Sequence, residues 1–239
     1  MNWKRDLTLL FGVLLLCLCG ASWGAAGKVT YIVGTLSVHK IDGTMKILSQ
    51  KSEVEAGDLL TTEKDSYAQI NFTDGSQATL RPNSRFKIEG YRFNKEEPKS
   101  DNLFFRLLKG GLRTITGLIG KRGNMDAYKI GTKTATLGIR GSSGDTLECT
   151  EGCEGATSTS DRLAPGTYHA TYTGSYQMCT QRGCIIVGPG QFGYARDENT
   201  MPVLLPDDPG FNFGEMPFSL GISGAAEGGG PGDNECLMQ

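Results

Sequence analysis

The sequence predicts an all-β fold, compact and mostly antiparallel, and three observations predict it. Glycine is abundant, at 34 of 239 residues. Runs that favour helix are scarce. Short segments rich in β-branched and aromatic residues follow one another, separated by turn signals, which is how a many-stranded β domain reads. At 38% hydrophobic and 21% charged residues the composition is globular, and a chain of this length can bury a stable core without a cofactor.

The elements follow in order. Lys28 to Val33 reads as a strand that Gly34 interrupts before Leu36–His39. Asp42-Gly43 is a hairpin turn leading into Met45–Leu48. Ala56-Gly57-Asp58 turns into Leu59–Thr62. Tyr67–Phe72 alternates between two faces, and Asp74-Gly75 folds it back onto Gln77–Leu80. Arg85–Glu89 alternates again, and residues 94–102 form a polar loop. Leu103–Leu108 is the most apolar run after the N-terminal segment; Gly110-Gly111 separates it from Leu112–Ile115. Further short strands are expected at Ala127–Ile130, Thr134–Ile139, Tyr168–Met178, Cys184–Val187 and Gln191–Tyr194. A weak repeat relates Gly34-Thr-Leu-Ser-Val and the later Val54-Glu-Ala-Gly-Asp58 to Gly174-Ser-Tyr-Gln-Met and Val187-Gly-Pro-Gly-Gln191.

The two ends differ from this pattern. Residues 1–26 read as a signal peptide: Lys4 and Arg5 precede an apolar stretch from Leu7 to about Cys19, with cleavage after Gly24 or Ala26. An uncleaved anchor and a lipoprotein built on Cys17 or Cys19 are the alternatives. From Asp197 the chain is acidic and rich in proline and glycine, so 197–239 is expected to be a disordered tail and 27–196 the folded domain. Within that tail, Met201–Leu205 and Phe211–Phe213 are apolar islands that either cap the domain edge or dock elsewhere. The expected location is periplasmic or secreted, in a bacterial envelope, without stable membrane insertion once the signal is removed.

Charge is unevenly distributed. Residues 81–140 carry 14 Lys/Arg against 5 Asp/Glu, whereas 141–239 carry 3 against 13. The segments either neutralise one another or leave a basic face for an anionic partner. The candidates for that face are Arg81, Arg85, Lys87, Arg106, Lys109, Arg113 and Arg140. The expected partner is an envelope protein or anionic glycan; export and the absence of a nucleic-acid-binding motif argue against nucleic acid.

Four cysteines, Cys149, Cys153, Cys179 and Cys184, sit in two short glycine-containing turns. They read as two local disulfides in an oxidising compartment, with cross-pairing and a four-thiolate zinc site as alternatives. Cys236 has no evident partner. Enzyme chemistry is weakly represented. His39 and His169 both lie in alternating strands and read as surface or half-buried residues. No serine elbow, metal spacing or phosphate loop is present. Gly138-Ile-Arg-Gly141 could cradle an anion, or could simply be a bulge whose glycines take positive φ. The protein is therefore expected to be non-catalytic and to need no cofactor; a structural envelope protein and a glycan-acting enzyme are the other readings.

The order of these motifs resembles the FecR domain over about residues 28–195. The resemblance is carried by Gly34 with Val38, Val54-Glu-Ala-Gly-Asp58, Thr61-Thr62, Ala68 to Ser76, Leu80, and Leu107-Leu-Lys-Gly-Gly-Leu-Arg113. Its most specific part is Thr134-Ala-Thr-Leu-Gly-Ile-Arg-Gly141, and Val187 to Phe192 closes it. The sequence departs from the family at Ser142-Ser-Gly-Asp145, and the cysteine turns look like additions. The resemblance implies a sandwich- or solenoid-like β module outside the cytoplasm, without catalysis. Family members that regulate iron transport relay a receptor signal to a sigma factor through a cytoplasmic segment. With six residues before the apolar stretch, no such segment is expected here, and that role is not carried over.

Overall fold

The computed structural model describes residues 24–122, 126–149, 153 and 163–211. Among them run fifteen strands. The first eight are β1 (Gly27–Val33), β2 (Leu36–His39), β3 (Met45–Leu48), β4 (Glu53–Val54), β5 (Leu59–Thr62), β6 (Tyr67–Phe72), β7 (Gln77–Leu80) and β8 (Arg85–Arg92). After a single 3-10 turn at Pro98–Ser100 come β9 (Asn102–Ile115), β10 (Tyr128–Gly131), β11 (Thr136–Cys149), β12 (Gly166–Thr180), β13 (Gly183–Val187), β14 (Phe192–Ala195) and β15 (Val203–Leu205). All pairings are antiparallel except β9 with β10.

The strands form one continuous hydrogen-bonded network that folds into two facing layers. The first layer runs β4-β1-β6-β7, then the later halves of β9 and β11, the first half of β12, β14 and β15. The second runs β3-β2-β5-β8, the first half of β9, β10, the first half of β11, the later half of β12, and β13. Four of the crossings between the layers are made without a long loop: β1 into β2, and β9, β11 and β12 within themselves. Each crosses at a glycine with positive φ, namely Gly34, Gly110, Gly141 and Gly174. Sheets that turn a corner do so by strands that bend in this way.

Three corners share one construction. The residue after the glycine donates its N–H to a serine hydroxyl on the neighbouring segment: Thr35 to Ser66, Gly111 to Ser84, and Ser175 to Ser142, at 2.8–2.9 Å. Two go further. Ser84 N–H donates to Thr62 Oγ1, and Ser142 N–H donates to Thr116 Oγ1, both at 3.0 Å. These hydroxyls thus satisfy backbone N–H groups at buried bends, as burial demands.

The repeat read in the sequence has a structural counterpart. Gly34 and Gly174 occupy corresponding corners, and Val54 and Val187 are fully buried. In the two following turns Glu55 N–H donates to Asp58 Oδ2 and Gly188 N–H to Gln191 Oε1, each three residues ahead.

The main core lies between the layers and contains residues of both, including Val29, Ile70, Leu80, Leu112, Leu60, Phe86, Phe105, Tyr128 and Met178. Phe72 of the first layer meets Phe105 of the second with ring centroids 4.8 Å apart. Burial of this apolar surface is the main driving term of the fold. Toward β11 and β12 the space between the layers becomes polar. Thr146, His169, Thr171, Thr167 and Glu148 are buried there. Thr146 Oγ1 bonds His169 Nδ1, and Thr167 Oγ1 donates to Glu148 Oε2. At this end the apolar residues occupy the outer side instead: Leu147, Tyr168 and Ala170 pack with Phe211 as a second cluster.

Four expectations change. Gly110-Gly111 bends one 14-residue strand instead of separating two. The segment after Gly141, where the family pattern lapses, continues β11 to Cys149; its inward residues are polar, so apolar alternation does not reveal it. His169 is fully buried, not exposed or half-buried. The fold also passes residue 196: β15 pairs with β14, and Phe211 is buried. The island at 201–205 therefore caps the sheet edge, because Val203–Leu205 supplies backbone partners to β14 and Phe211 covers the outer cluster. Residues 1–23 and 212–239, with Phe213 and Cys236, lie outside the described residues.

Cys149–Cys153 and Cys179–Cys184 are the two disulfides, each closing its own turn. The local pairing holds, and it occupies all four of these thiols.

Candidate interaction surface

The basic residues singled out in the sequence divide between the two layers. On β8 and the first half of β9 alternate side chains point outward, so Arg85, Lys87 and Glu89 share the outer face of the second layer with Phe104 and Arg106. Lys87 is the register partner of Arg106. Glu89 lies between them, with Lys87 Nζ at 2.9 Å and Arg106 Nε at 2.8 Å. Lys87 first, then Arg106, hold the Glu89 carboxyl below its ordinary range. The Arg106 guanidinium also lies 5.3 Å from the centroid of the Phe104 ring, a cation–π contact that fixes its plane.

At the Gly110 end of this face Arg85 and Lys109 are register partners on adjacent strands, and both are exposed. No ion pair engages either among the described residues. Like charges directly opposite one another on a sheet are destabilising. Arg140 lies on the same outer face at the far end, beside the Gly141 corner, and is exposed.

Arg113 and Arg81 belong to the first layer. Arg113 makes a two-pronged pair with buried Asp145, Nε to Oδ1 at 2.6 Å and Nη2 to Oδ2 at 2.7 Å, and lies against the Tyr172 ring. Tyr172 OH donates to the same carboxylate. Arg113 is thus a neutralised structural residue of this layer. Arg81 extends β7 by one residue, its N–H bonded to Gly111 O. The structure therefore unites Arg85, Lys87, Arg106 and Lys109, sets Arg140 apart from them, and removes Arg81 and Arg113 to the opposite layer. Only the pairing of β8 with β9 could reveal this division, since both sets share the same sequence alternation.

Gly138 to Gly141 does not form an anion cradle. Gly141 is a corner residue whose N–H is already bonded to Gly120 O. His39 is exposed, and His169 is sealed in the interior, where burial pushes its pKa down to about 3. The His169 Nδ1 partner is the buried Thr146 hydroxyl.

Residues 58–158 match the family model described as FecR protein. Over that stretch the chain is similar to the FecR family. The match takes in β5 to β11, and β1–β4 and β12–β15 complete both layers around the FecR region. The motif Thr134 to Gly141 builds the first half of β11 and its corner, and Thr134 Oγ1 donates to Ala195 O. Among solved structures, a candidate anti-sigma factor from Parabacteroides distasonis is similar at 12% identity and a TM-score of 0.46, over 63% of this chain and 60% of that one. The chain thus spans three fifths of that protein's length. A cell-surface anchoring domain is similar at 24% identity and a TM-score of 0.25, over 26% of this chain and 82% of that one. No curated protein matches the sequence. Among the described residues no helix is long and apolar enough to cross a membrane.

Proposed function

We propose that this FecR-domain protein is an exported, non-catalytic binding module that engages an anionic envelope partner, protein or glycan, through the outer face of its second layer. One observation carries the reading: Arg85 and Lys109 stand directly opposite each other, exposed and with no carboxylate paired to either among the described residues. The fold tolerates this repulsion next to Lys87 and Arg106, and an anionic ligand would relieve it. The N-terminal segment supports export, and the two disulfides fit an oxidising compartment.

The test is a cross-linking pull-down from the native cell envelope, followed by mass spectrometry, with wild type and an Arg85→Glu/Lys109→Glu pair compared at low and high salt. The expected result is a specific receptor, sensor or acidic polymer enriched by wild type and lost in the variant or in salt. Enrichment insensitive to both would remove the cationic face from the mechanism. Recovery of nothing would leave a structural role as the better description.

A further inference from the structure

Edge strands are usually shortened, charged, interrupted by proline or covered. Three of the four edges here are managed in those ways. β4 has only two residues. β15 has three, held between Pro202 and Pro206. The hairpin of β12 and β13 is stapled by Cys179–Cys184, and its turn is tied down by the following segment: Gln181 N–H donates to Glu198 O and Thr180 Oγ1 to Thr200 O.

β3 is the exception. Among the described residues it pairs with β2 alone. Lys40 N–H donates to Thr44 O, so the hydrogen-bonded positions of this hairpin are Lys40–Thr44, Val38–Lys46 and Leu36–Leu48. The N–H and C=O of both Met45 and Ile47 therefore point away from β2, and no strand pairs with them among the described residues. The same hairpin holds the three most exposed large apolar side chains among the described residues, Ile41 at 89%, Ile47 at 78% and Met45 at 73%. Met45 and Ile47 lie on the outer side with His39 and Ser37, and exposed Lys46 points to the other side between them.

We infer that β3 is an acceptor for an extended polypeptide segment of a partner protein, which adds to the second layer as a further strand. The chemistry of that segment follows from the register. Residues paired with Met45 and Ile47 would share their face and be apolar, and the residue between them would lie beside Lys46 and carry a carboxylate. A second copy of this chain suits the edge less well: joining Met45 to Ile47 of the copy sets Lys46 directly against its own counterpart. This inference does not rest on the cationic face, since β2 and β5 separate β3 from β8.

The test uses the disulfide-intact protein and two synthetic strand peptides, one with a valine–glutamate–valine centre flanked by threonines, the other with lysine in place of glutamate. Amide hydrogen exchange is followed by NMR. The glutamate peptide should slow exchange at Met45 and Ile47 at least tenfold and bind at least fivefold more tightly than the lysine peptide. Lys46→Glu should reverse that preference. Ile47→Pro removes an outward-facing N–H without touching the β2 ladder, so it should stay folded and lose binding. Exchange unchanged at saturating peptide, protection confined to other strands, or a preference that Lys46→Glu leaves intact would each overturn the inference. Concentration-dependent dimerisation abolished by Ile47→Pro would overturn it in favour of a second copy.

Discussion

Replacing Gly174 by alanine tests whether the glycine corners govern this fold. Gly174 has φ of +68°, and an added Cβ would lie 2.7 Å from Gly141 O and 2.9 Å from Ser142 Cα. Both are backbone atoms that the Thr116–Ser142 hydrogen bonds hold in place. Gly43, in the β2–β3 turn, has φ of +85° but nothing within 4 Å of the same position. Gly43→Ala therefore carries only the conformational cost of a side chain at positive φ, about 1 kcal/mol. Gly174→Ala adds overpacking, typically ~1–3 kcal/mol, for a total of roughly 2–4 kcal/mol. For a domain of this size that corresponds to a fall in Tm of roughly 4–16 °C, against about 2–4 °C for the control. Thermal and urea unfolding of the oxidised protein measure both. Equal losses for the two variants would refute the steric account of the corner.

Other predictions follow from the interior and the surface. Because burial lowers the His169 pKa from 6.5 to about 3, the unfolded chain takes up a proton that the folded protein refuses. Stability should fall by about 1.4 kcal/mol per pH unit from this group as pH drops from 6.5 toward 3, and urea midpoints should show a shallower acid decline in His169→Gln. Thr116→Val leaves Ser142 N–H without its acceptor at a buried corner and should cost ~1–3 kcal/mol; Thr62→Val, its counterpart at Ser84, should cost a similar amount, so a neutral result at both would remove the hydroxyls from the corner's construction. Lys109→Glu converts the repulsive pair with Arg85 into an attractive one and should raise stability by ~0.2–1 kcal/mol while weakening capture of the anionic partner, two readouts that a purely structural lysine would not oppose. Non-reducing peptide mapping should recover Cys149 with Cys153 and Cys179 with Cys184; a cross-linked pair between the two turns would contradict the fold at β11 and β12.

Local chemistry determined much of this protein before any tertiary contact. Asp42-Gly43 and Asp74-Gly75 specify hairpins because their residues accept turn geometry, and the strands beside them pair as the alternation requires. The two disulfides were legible because each joins cysteines across one short turn. What the sequence could not show is which strands become neighbours. Alternation in β8, β9 and β7 says which residues share a face of a strand, but not that Arg85 and Lys109 meet while Arg113 finds Asp145 on the opposite layer. The run from Gly141 to Cys149 stayed illegible because one side of it faces a polar interior and the other an apolar outer cluster, which erases the usual contrast. Likewise only the strand network reveals that β3 has no outer neighbour among the described residues. Turns and alternation are set by residues a few positions apart; layer, neighbour and edge are set by burial between segments distant in the chain, and that is a property of the folded whole.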